Sequence, residues 1–166
     1  ITSALEIGKA PRGQSGYMIY FGTGKYLGYL DIIDTSAQTV YGILDSGSRI
    51  TGTPPRSALQ EQTFIYEGRR TSADASPVRV ASNNATNYTG TDAKRGWYLD
   101  LLSPNTPSNL GERVISTPLL RHGRLIVTSI VPSTAACDQG GYSWITELDA
   151  LYGKRLAYNV FDYTND

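Results

Sequence analysis

Four apolar runs follow one another between residues 112 and 161, and turn-forming residues close each of them. The runs cover residues 114–120, 125–131, 144–151 and 156–161. Short apolar runs separated by glycine-bearing turns are typical of a meander of antiparallel strands. One four-stranded sheet would leave two faces and two edges uncovered, so we expect this stretch to pack against sheets of the same kind.

The rest of the chain also indicates strands rather than helices. No segment shows a sustained 3.6-residue apolar period, and a single helical turn is expected at residues 57–62. Tyrosine and glycine are abundant, with 12 and 17 residues, as in turn-rich β-structure. We therefore predict an all-β fold, with further strands at residues 1–7, 17–21, 39–44, 62–67, 78–81 and 97–102 and a loop at residues 25–36.

Length and charge limit the class of protein. A length of 166 residues suffices for one domain, and the connector at residues 104–111 is too short to separate two, so residues 1–166 are predicted to form a single region. The formal net charge is zero, which argues against a nucleic-acid interface. No apolar run reaches the roughly 20 residues that a membrane-spanning helix needs. Ile1 lies inside a predicted strand with no signal peptide before it, so we expect a fragment of a longer protein.

Two parts of the chain resemble each other. In residues 1–45 and again in residues 114–149, a strand containing Thr and Ser leads through a turn into an apolar strand. After an insertion, a third strand in each unit ends in Leu-Asp. The units start roughly 110 residues apart, a spacing that fits two or three β-propeller blades with long insertions. A β-sandwich with coincidental similarity is the alternative that this pattern leaves open.

The residue types that perform catalysis are scarce in this chain. His122, the one histidine, lies in the predicted turn Arg121-His122-Gly123-Arg124, and no Gly-x-Ser-x-Gly motif accompanies it. Cys137 is the one cysteine; it cannot form an internal disulfide, and with a single histidine it cannot build a zinc site. The run from Gly22 to Lys25 (GTGK) lacks the spacing and the following helix of a phosphate-binding loop. We predict no catalytic and no cofactor-binding residue.

Acidic residues offer only partial calcium ligands. Asp162, Thr164 and Asp166 alternate like the first ligands of a calcium-binding loop, but the remaining positions of such a loop are missing from the chain. Asp31 and Asp34 lack the required glycine and spacing. No metal site is therefore predicted. The glycosylation patterns at residues 84–86 and 87–89 matter only in a cell with that machinery, and the tyrosines are expected to pack in the core rather than to form an adhesive surface.

Several stretches in combination resemble one protein family, the C-terminal domain of the PilY/PilC proteins. These proteins assemble type IV pili and act at the pilus tip as adhesins. The stretches that carry the resemblance are YFGTGKYL at residues 20–27, QTVYGI at 38–43, GWYLDL at 96–101, ERV at 112–114, Pro118, IVP at 130–132, Cys137, Gly140-Gly141 and Trp144.

The resemblance implies a modified β-propeller related to quinoproteins, here reduced to a partial propeller of a few blades. It implies a place at the bacterial pilus tip, the outer surface or the periplasm, and a role in pilus extension and surface attachment. Pilins and minor pilins, and host surfaces, would be its partners. No position matches the family's Asp-rich calcium loop, so calcium would belong to the parent protein and no cofactor is expected within this chain.

Two other functions remain as alternatives to this non-enzymatic role. A quinoprotein-dehydrogenase-like enzyme would share the blades, but such enzymes hold the quinone with a disulfide between adjacent cysteines, and Cys137 stands alone. A scaffold propeller of outer-membrane assembly would lack the GWYLDL and Gly-Gly elements. Because a partial propeller leaves sheet edges open, we also expect the chain to self-associate or to pair with the remaining blades.

Overall fold

The computed structural model of the chain describes residues 1–52, 54–71, 76–106, 108–133, 141–158 and 160–161. Within these ranges the chain forms ten strands, a short α-helix and a 3-10 helix. Their bounds are β1 (Glu6–Lys9), β2 (Tyr17–Gly22), α1 (Tyr29–Ile33), β3 (Thr39–Asp45), the 3-10 helix (Pro55–Ala58), β4 (Gln60–Gln62), β5 (Phe64–Gly68), β6 (Val78–Ala81), β7 (Gly96–Asp100), β8 (Leu119–Arg121), β9 (Arg124–Pro132) and β10 (Gly141–Asp149).

The first half of the chain builds a five-stranded sheet in the order β1-β2-β3-β7-β4. The strands β1, β2 and β3 form an antiparallel meander, β7 joins β3 antiparallel, and β4 lies parallel to β7. Side chains on alternating positions of β2 and β3 are buried, and those between them are half-exposed. The predicted strands at 17–21 and 39–44 are confirmed, because period-2 alternation is the pattern of a sheet with one face in the core.

The second meander has three strands, in the order β10-β9-β8. Strands β9 and β10 pair along nine residues each, from Gly141 opposite Pro132 to Asp149 opposite Arg124. The tight turn between β8 and β9 places His122 at φ 48°, followed by Gly123 at φ 78°. A separate hairpin, β5-β6, completes the fold.

A shared core lies between the two meanders. It combines Met18, Tyr20, Val40 and Leu99 from the first sheet with residues of the second, among them Leu125, Val127 and Leu148. The sheets also meet at their edges, where a Cβ added to Gly8 of β1 would lie 2.9 Å from Leu120 of β8.

Trp97 is the largest fully buried side chain, and its ring lies between two glycines. A Cβ added to Gly42 of β3 would lie 2.4 Å from this ring, and one added to Gly153 would lie 2.2 Å from it. The indole Nε1 donates to the carbonyl oxygen of Ala150 at 3.0 Å. Backbone alone can occupy these two positions, so the tryptophan ties the turn after β10 to the first sheet.

The predicted four-stranded meander is wrong in two of its runs. Only the end of the run at 114–120 pairs as β8, because the chain at its start is bonded elsewhere. Arg113, just before the run, exchanges backbone hydrogen bonds with Ile130, and the amide of Val114 donates to the carbonyl of Thr23 at 3.0 Å. The described part of 156–161 is not a strand. After β10 the backbone amide of Arg155 donates to Ser82 instead, which leads the chain away from the sheet.

Four local predictions also need correction. The first strand, predicted at 1–7, is β1 at Glu6–Lys9. Helix α1 lies inside the predicted loop at 25–36, the predicted strand at 62–67 is divided between β4 and β5, and the helical turn begins at Pro55 rather than at residue 57. The fold is nonetheless mostly β-sheet with almost no helix. In the described part of the chain no helix is long and apolar enough to cross a membrane.

The two units compared in the sequence fold alike: β1-β2-β3 and β8-β9-β10 are both antiparallel meanders in sequential strand order. Each sheet in the described residues is open, and none closes on itself. The propeller arrangement therefore stays a prediction.

Candidate interaction surfaces

A buried arginine organises the loop that follows β2. Arg113 is 1% exposed, and its guanidinium donates to four backbone carbonyl oxygens. Nε reaches Gly111 at 2.8 Å, Nη1 reaches Lys25 at 2.8 Å and Asp31 at 2.5 Å, and Nη2 reaches Asp34. Guanidinium hydrogen bonds to otherwise unpaired carbonyls, including those at a helix C-terminal end, remove the cost of burying them. Arg113 therefore holds helix α1 in a defined position.

The carboxylate of Asp31 secures the other end of the same loop. Its Oδ2 accepts hydrogen bonds from the amides of Leu27 at 2.7 Å and Gly28 at 2.9 Å, and its Oδ1 lies 3.1 Å from Lys25 Nζ. The hydrogen bond from the Leu27 amide, with help from Lys25, lowers the pKa of this carboxyl below its usual range. The charged side chains of Arg113 and Asp31 thus hold the loop from inside.

The outer side of this loop is apolar. Asp31 is buried, whereas Leu27, Tyr29 and Leu30 are 78%, 74% and 73% exposed. Tyr26 and Ile33 are also exposed. A surface helix normally turns its apolar side chains inward and its charged ones outward, so the polarity of α1 is inverted. We call these five residues, Tyr26, Leu27, Tyr29, Leu30 and Ile33, the α1 patch.

A second apolar surface covers the outer face of the five-stranded sheet. The aromatic rings of Phe21 and Tyr41 stack at 5.1 Å, and Tyr98 follows at 6.4 Å on the next strand. The guanidinium of Arg56 lies 3.9 Å above the Tyr98 ring and pairs with Asp100 at 2.5 Å. The aliphatic part of this face consists of Ile7, Ile19 and Ile43, which are directly opposite one another across the strands.

A buried ion cluster joins the β5-β6 hairpin to the second meander. Arg79 of β6 contacts Glu67 at 2.6 Å and Glu112 at 2.6 Å, and its guanidinium lies 4.1 Å from the ring of Trp144. The other oxygen of Glu112 accepts a hydrogen bond from Ser129. Burial raises the pKa of Glu112, with Arg79 acting in the opposite direction. These contacts link the β5-β6 hairpin to the segment before β8 and to strands β9 and β10.

The sequence-predicted residues do not converge on a chemical site. His122 lies exposed in a hairpin turn, far along the chain from any predicted partner. Gly22 and Gly24 lie against Val114 and Arg113, so the GTGK stretch packs against protein rather than cradling a phosphate. Cys137, Gly140, Asp162, Thr164 and Asp166 lie outside the described residues. Within the described residues, no group of three or more His, Cys, Asp or Glu side chains is placed to hold a metal ion.

The structural roles of Arg113 and of the outward apolar residues of α1 were missed by the sequence reasoning. The residues of α1 were read as a loop, and Glu112-Arg113-Val114 was noted only as part of a family resemblance. A signal was present: Leu27, Tyr29, Leu30 and Ile33 are unusually apolar for a stretch containing Gly28 and Asp31. Loops with several large apolar residues often form interaction surfaces.

Comparison with known proteins shows which proteins this chain is similar to. No protein-family profile matches the chain. A type IV pilus biogenesis factor PilY1 homolog of Xylella fastidiosa is 37% identical over 154 residues, which cover 92% of this chain and 10% of that protein. The type IV pilus biogenesis factor PilY1 of Pseudomonas aeruginosa is 35% identical over 173 residues, covering 98% of this chain and 15% of that protein.

The crystal structure of the Pseudomonas aeruginosa PilY1 C-terminal domain matches the fold with a TM-score of 0.82 and 32% identity, covering 99% of this chain. The chain is similar to a segment of the PilY1 C-terminal domain. It spans 34% of that solved domain and only 10% to 15% of the two curated PilY1 relatives described above. The similarity therefore concerns one part of a much longer protein.

Proposed function

We propose that this chain acts in type IV pilus biogenesis as a structural part of a PilY1-like C-terminal domain. The observation that carries the proposal is the structural match at a TM-score of 0.82 over 99% of the chain, together with relatives named as PilY1. Because a shared fold alone does not imply a shared role, the proposal also rests on sequence identities of 32% to 37% over nearly the whole chain.

The finer part of the proposal is that the two meanders are neighbouring blades of a partial propeller. Support comes from their identical strand order and from the core that they share. The apolar outer face around Phe21, Tyr41 and Ile43 would then pack against a further blade, as sheets in propellers do. Calcium, if the parent protein uses it, would bind outside this chain.

We further propose that the chain is non-enzymatic and works by binding pilins, minor pilins or host surfaces at the outer surface or in the periplasm. The relatives named as biogenesis factors, rather than as enzymes, support this. Addition of quinone, calcium and a redox dye should give no alcohol-dependent dye reduction. Turnover that depends on quinone would refute the non-enzymatic role and favour the dehydrogenase alternative.

The test of the biogenesis role is replacement of the matching segment in Pseudomonas aeruginosa PilY1 by this chain. Surface pili, counted by electron microscopy, should reappear in a strain that otherwise lacks PilY1. The matched control is PilY1 with the segment deleted, which should leave the cells without pili. A chimera that is exported and folded but leaves the cells bald would contradict the proposal.

A further inference from the structure

We infer that the α1 patch is a docking surface for another part of the same longer polypeptide. This inference rests on the proposed placement of the chain in a PilY1-like domain. It goes beyond that placement because none of the α1 patch residues belongs to the strands on whose outer face blades would stack.

The first observation is the inverted polarity of α1. Leu27, Tyr29 and Leu30 project into solvent while the carboxylate of Asp31 is turned inward. An uncovered arrangement of this kind exposes apolar surface to water at about 25 cal/mol per Å². It becomes favourable when an apolar surface covers the outer side.

The second observation is that the patch is held rigid from beneath. The guanidinium of Arg113 binds the carbonyls of Lys25, Asp31 and Asp34, which span the whole loop. The side chain of Arg113 is 1% exposed and donates to Gly111 and to three carbonyl oxygens of this loop, so it fixes the shape of the loop. Preorganisation of this kind lowers the entropy lost on binding.

The size of the patch selects the kind of partner. Its five side chains expose an area on the order of 500 Å², below the roughly 800 Å² per partner of a stable interface between free proteins. A second copy of the chain, held by this patch alone, would therefore bind weakly. A tethered segment needs less area because its effective concentration reaches the millimolar range.

A tethered segment of this kind is expected because the solved PilY1 C-terminal domain is much longer than this chain. This chain covers 34% of the solved PilY1 C-terminal domain, so about two thirds of that domain has no counterpart in it. The occupant is expected to be apolar where it meets Leu27 and Leu30, since the exposed side chains of α1 are Tyr29, Leu30 and Ile33. The exposed ammonium of Lys25 lies next to Tyr26, at the edge of the patch.

The experiment measures the accessibility of α1 by thiol labelling. Leu30→Cys is made in a Cys137→Ser background, both in the isolated chain and in the PilY1 C-terminal domain whose matching segment is replaced by this chain. The matched control is Asp92→Cys, at an exposed turn, which reports the labelling rate of an open site. In the isolated chain both thiols should react with maleimide at similar rates, independent of protein concentration.

In the chimera, maleimide labelling at residue 30 should slow at least about tenfold, because the thiol reacts only when the covering segment moves away. A tenfold slowing corresponds to about 1.4 kcal/mol in the free energy of that opening. Equal rates at residue 30 in a folded chimera and in the isolated chain would overturn the inference. Slowing in the isolated chain that grows with concentration would also overturn it, in favour of a second copy. A chimera that does not fold refutes the proposed placement, and with it the occupant named here.

Discussion

Replacement of Arg113 by methionine tests the interpretation that one side chain holds the α1 loop. Methionine keeps the length and the apolar stem of the arginine and keeps the backbone hydrogen bonds with Ile130, which are made by main-chain atoms. What it removes is the guanidinium and its four hydrogen bonds to carbonyl oxygens. The variant therefore isolates the side-chain contribution.

The expected loss follows from these contacts. A hydrogen bond from a charged donor contributes about 1.5–3 kcal/mol, and a buried acceptor left unpaired costs about 1–3 kcal/mol. The four contributions are not additive, because the carbonyls of Lys25 and Asp34 can regain water when the loop opens. We expect a loss of about 3 kcal/mol in the free energy of unfolding, which for a chain of this length lowers Tm by about 6–12 °C.

Urea denaturation followed by tryptophan fluorescence gives the free energy of unfolding, and hydrogen exchange gives the local effect. The amides of Leu27, Gly28 and Asp31, which are bonded within the loop, should exchange much faster in Arg113→Met than in the parent chain. Arg113→Lys should be intermediate, since an ammonium cannot reach the carbonyls in a planar fork.

The control is Arg124→Met, which removes another arginine from a partly exposed ion pair with Glu147 at 2.8 Å. Exposed pairs contribute at most about 1 kcal/mol, so this variant should remain close to the parent chain. If Arg113→Met loses no more than Arg124→Met, and the amides of the loop keep their protection, then the loop is held by other contacts and the reasoning fails.

Four further outcomes are expected. Gly153→Ala should lower the free energy of unfolding, measured in urea, by at least about 2 kcal/mol, because a Cβ there would lie 2.2 Å from Trp97 and φ is 68°. Gly28→Ala is the control and should change it little, because open space surrounds that position. Burial raises the pKa of Glu112 above its usual 4.5, so the folded chain binds a proton that the unfolded chain has released, and the free energy of unfolding should fall as the pH rises above 4.5. Glu112→Gln should reduce this pH dependence of the free energy of unfolding. An unchanged pH dependence in the variant would contradict the assignment. Calcium or EDTA should leave the Tm of the isolated chain unchanged. Light scattering should find self-association through β10, the edge strand of its sheet, and Ile145→Lys on that strand should reduce it. A strictly monomeric parent chain would count against pairing through this edge.

Sequence reasoning predicted the strands whose pattern is local. Residues 17–21, 39–44 and 125–131 alternate or are rich in β-branched and aromatic residues, and glycine-bearing turns end them, so β2, β3 and β9 were located correctly. The antiparallel meander order within each repeated unit followed from the short turns and the insertions.

Features that depend on distant contacts could not be predicted. The run at 114–120 has the composition of a strand, yet its first residue, Val114, bonds Thr23, and Arg113 just before it bonds Ile130. Helix α1 shows no inward apolar stripe because its apolar residues face outward, so a search for amphipathic periodicity passes over it. Gly42 and Gly153, which both contact Trp97, are 111 residues apart in the chain, and only the fold shows that they share this neighbour.

The inverted helix and the buried arginine are best explained together. Arg113 pairs buried carbonyl oxygens that an apolar side chain in its place would leave without a donor, and its own burial costs desolvation. Three of its hydrogen bonds go to the carbonyl oxygens of Lys25, Asp31 and Asp34, and these contacts fix the shape of one loop. That loop presents Leu27 and Leu30 to the outside rather than to the core. The contacts of Arg113 therefore hold an apolar surface outward, as expected of a surface that another part of the polypeptide covers.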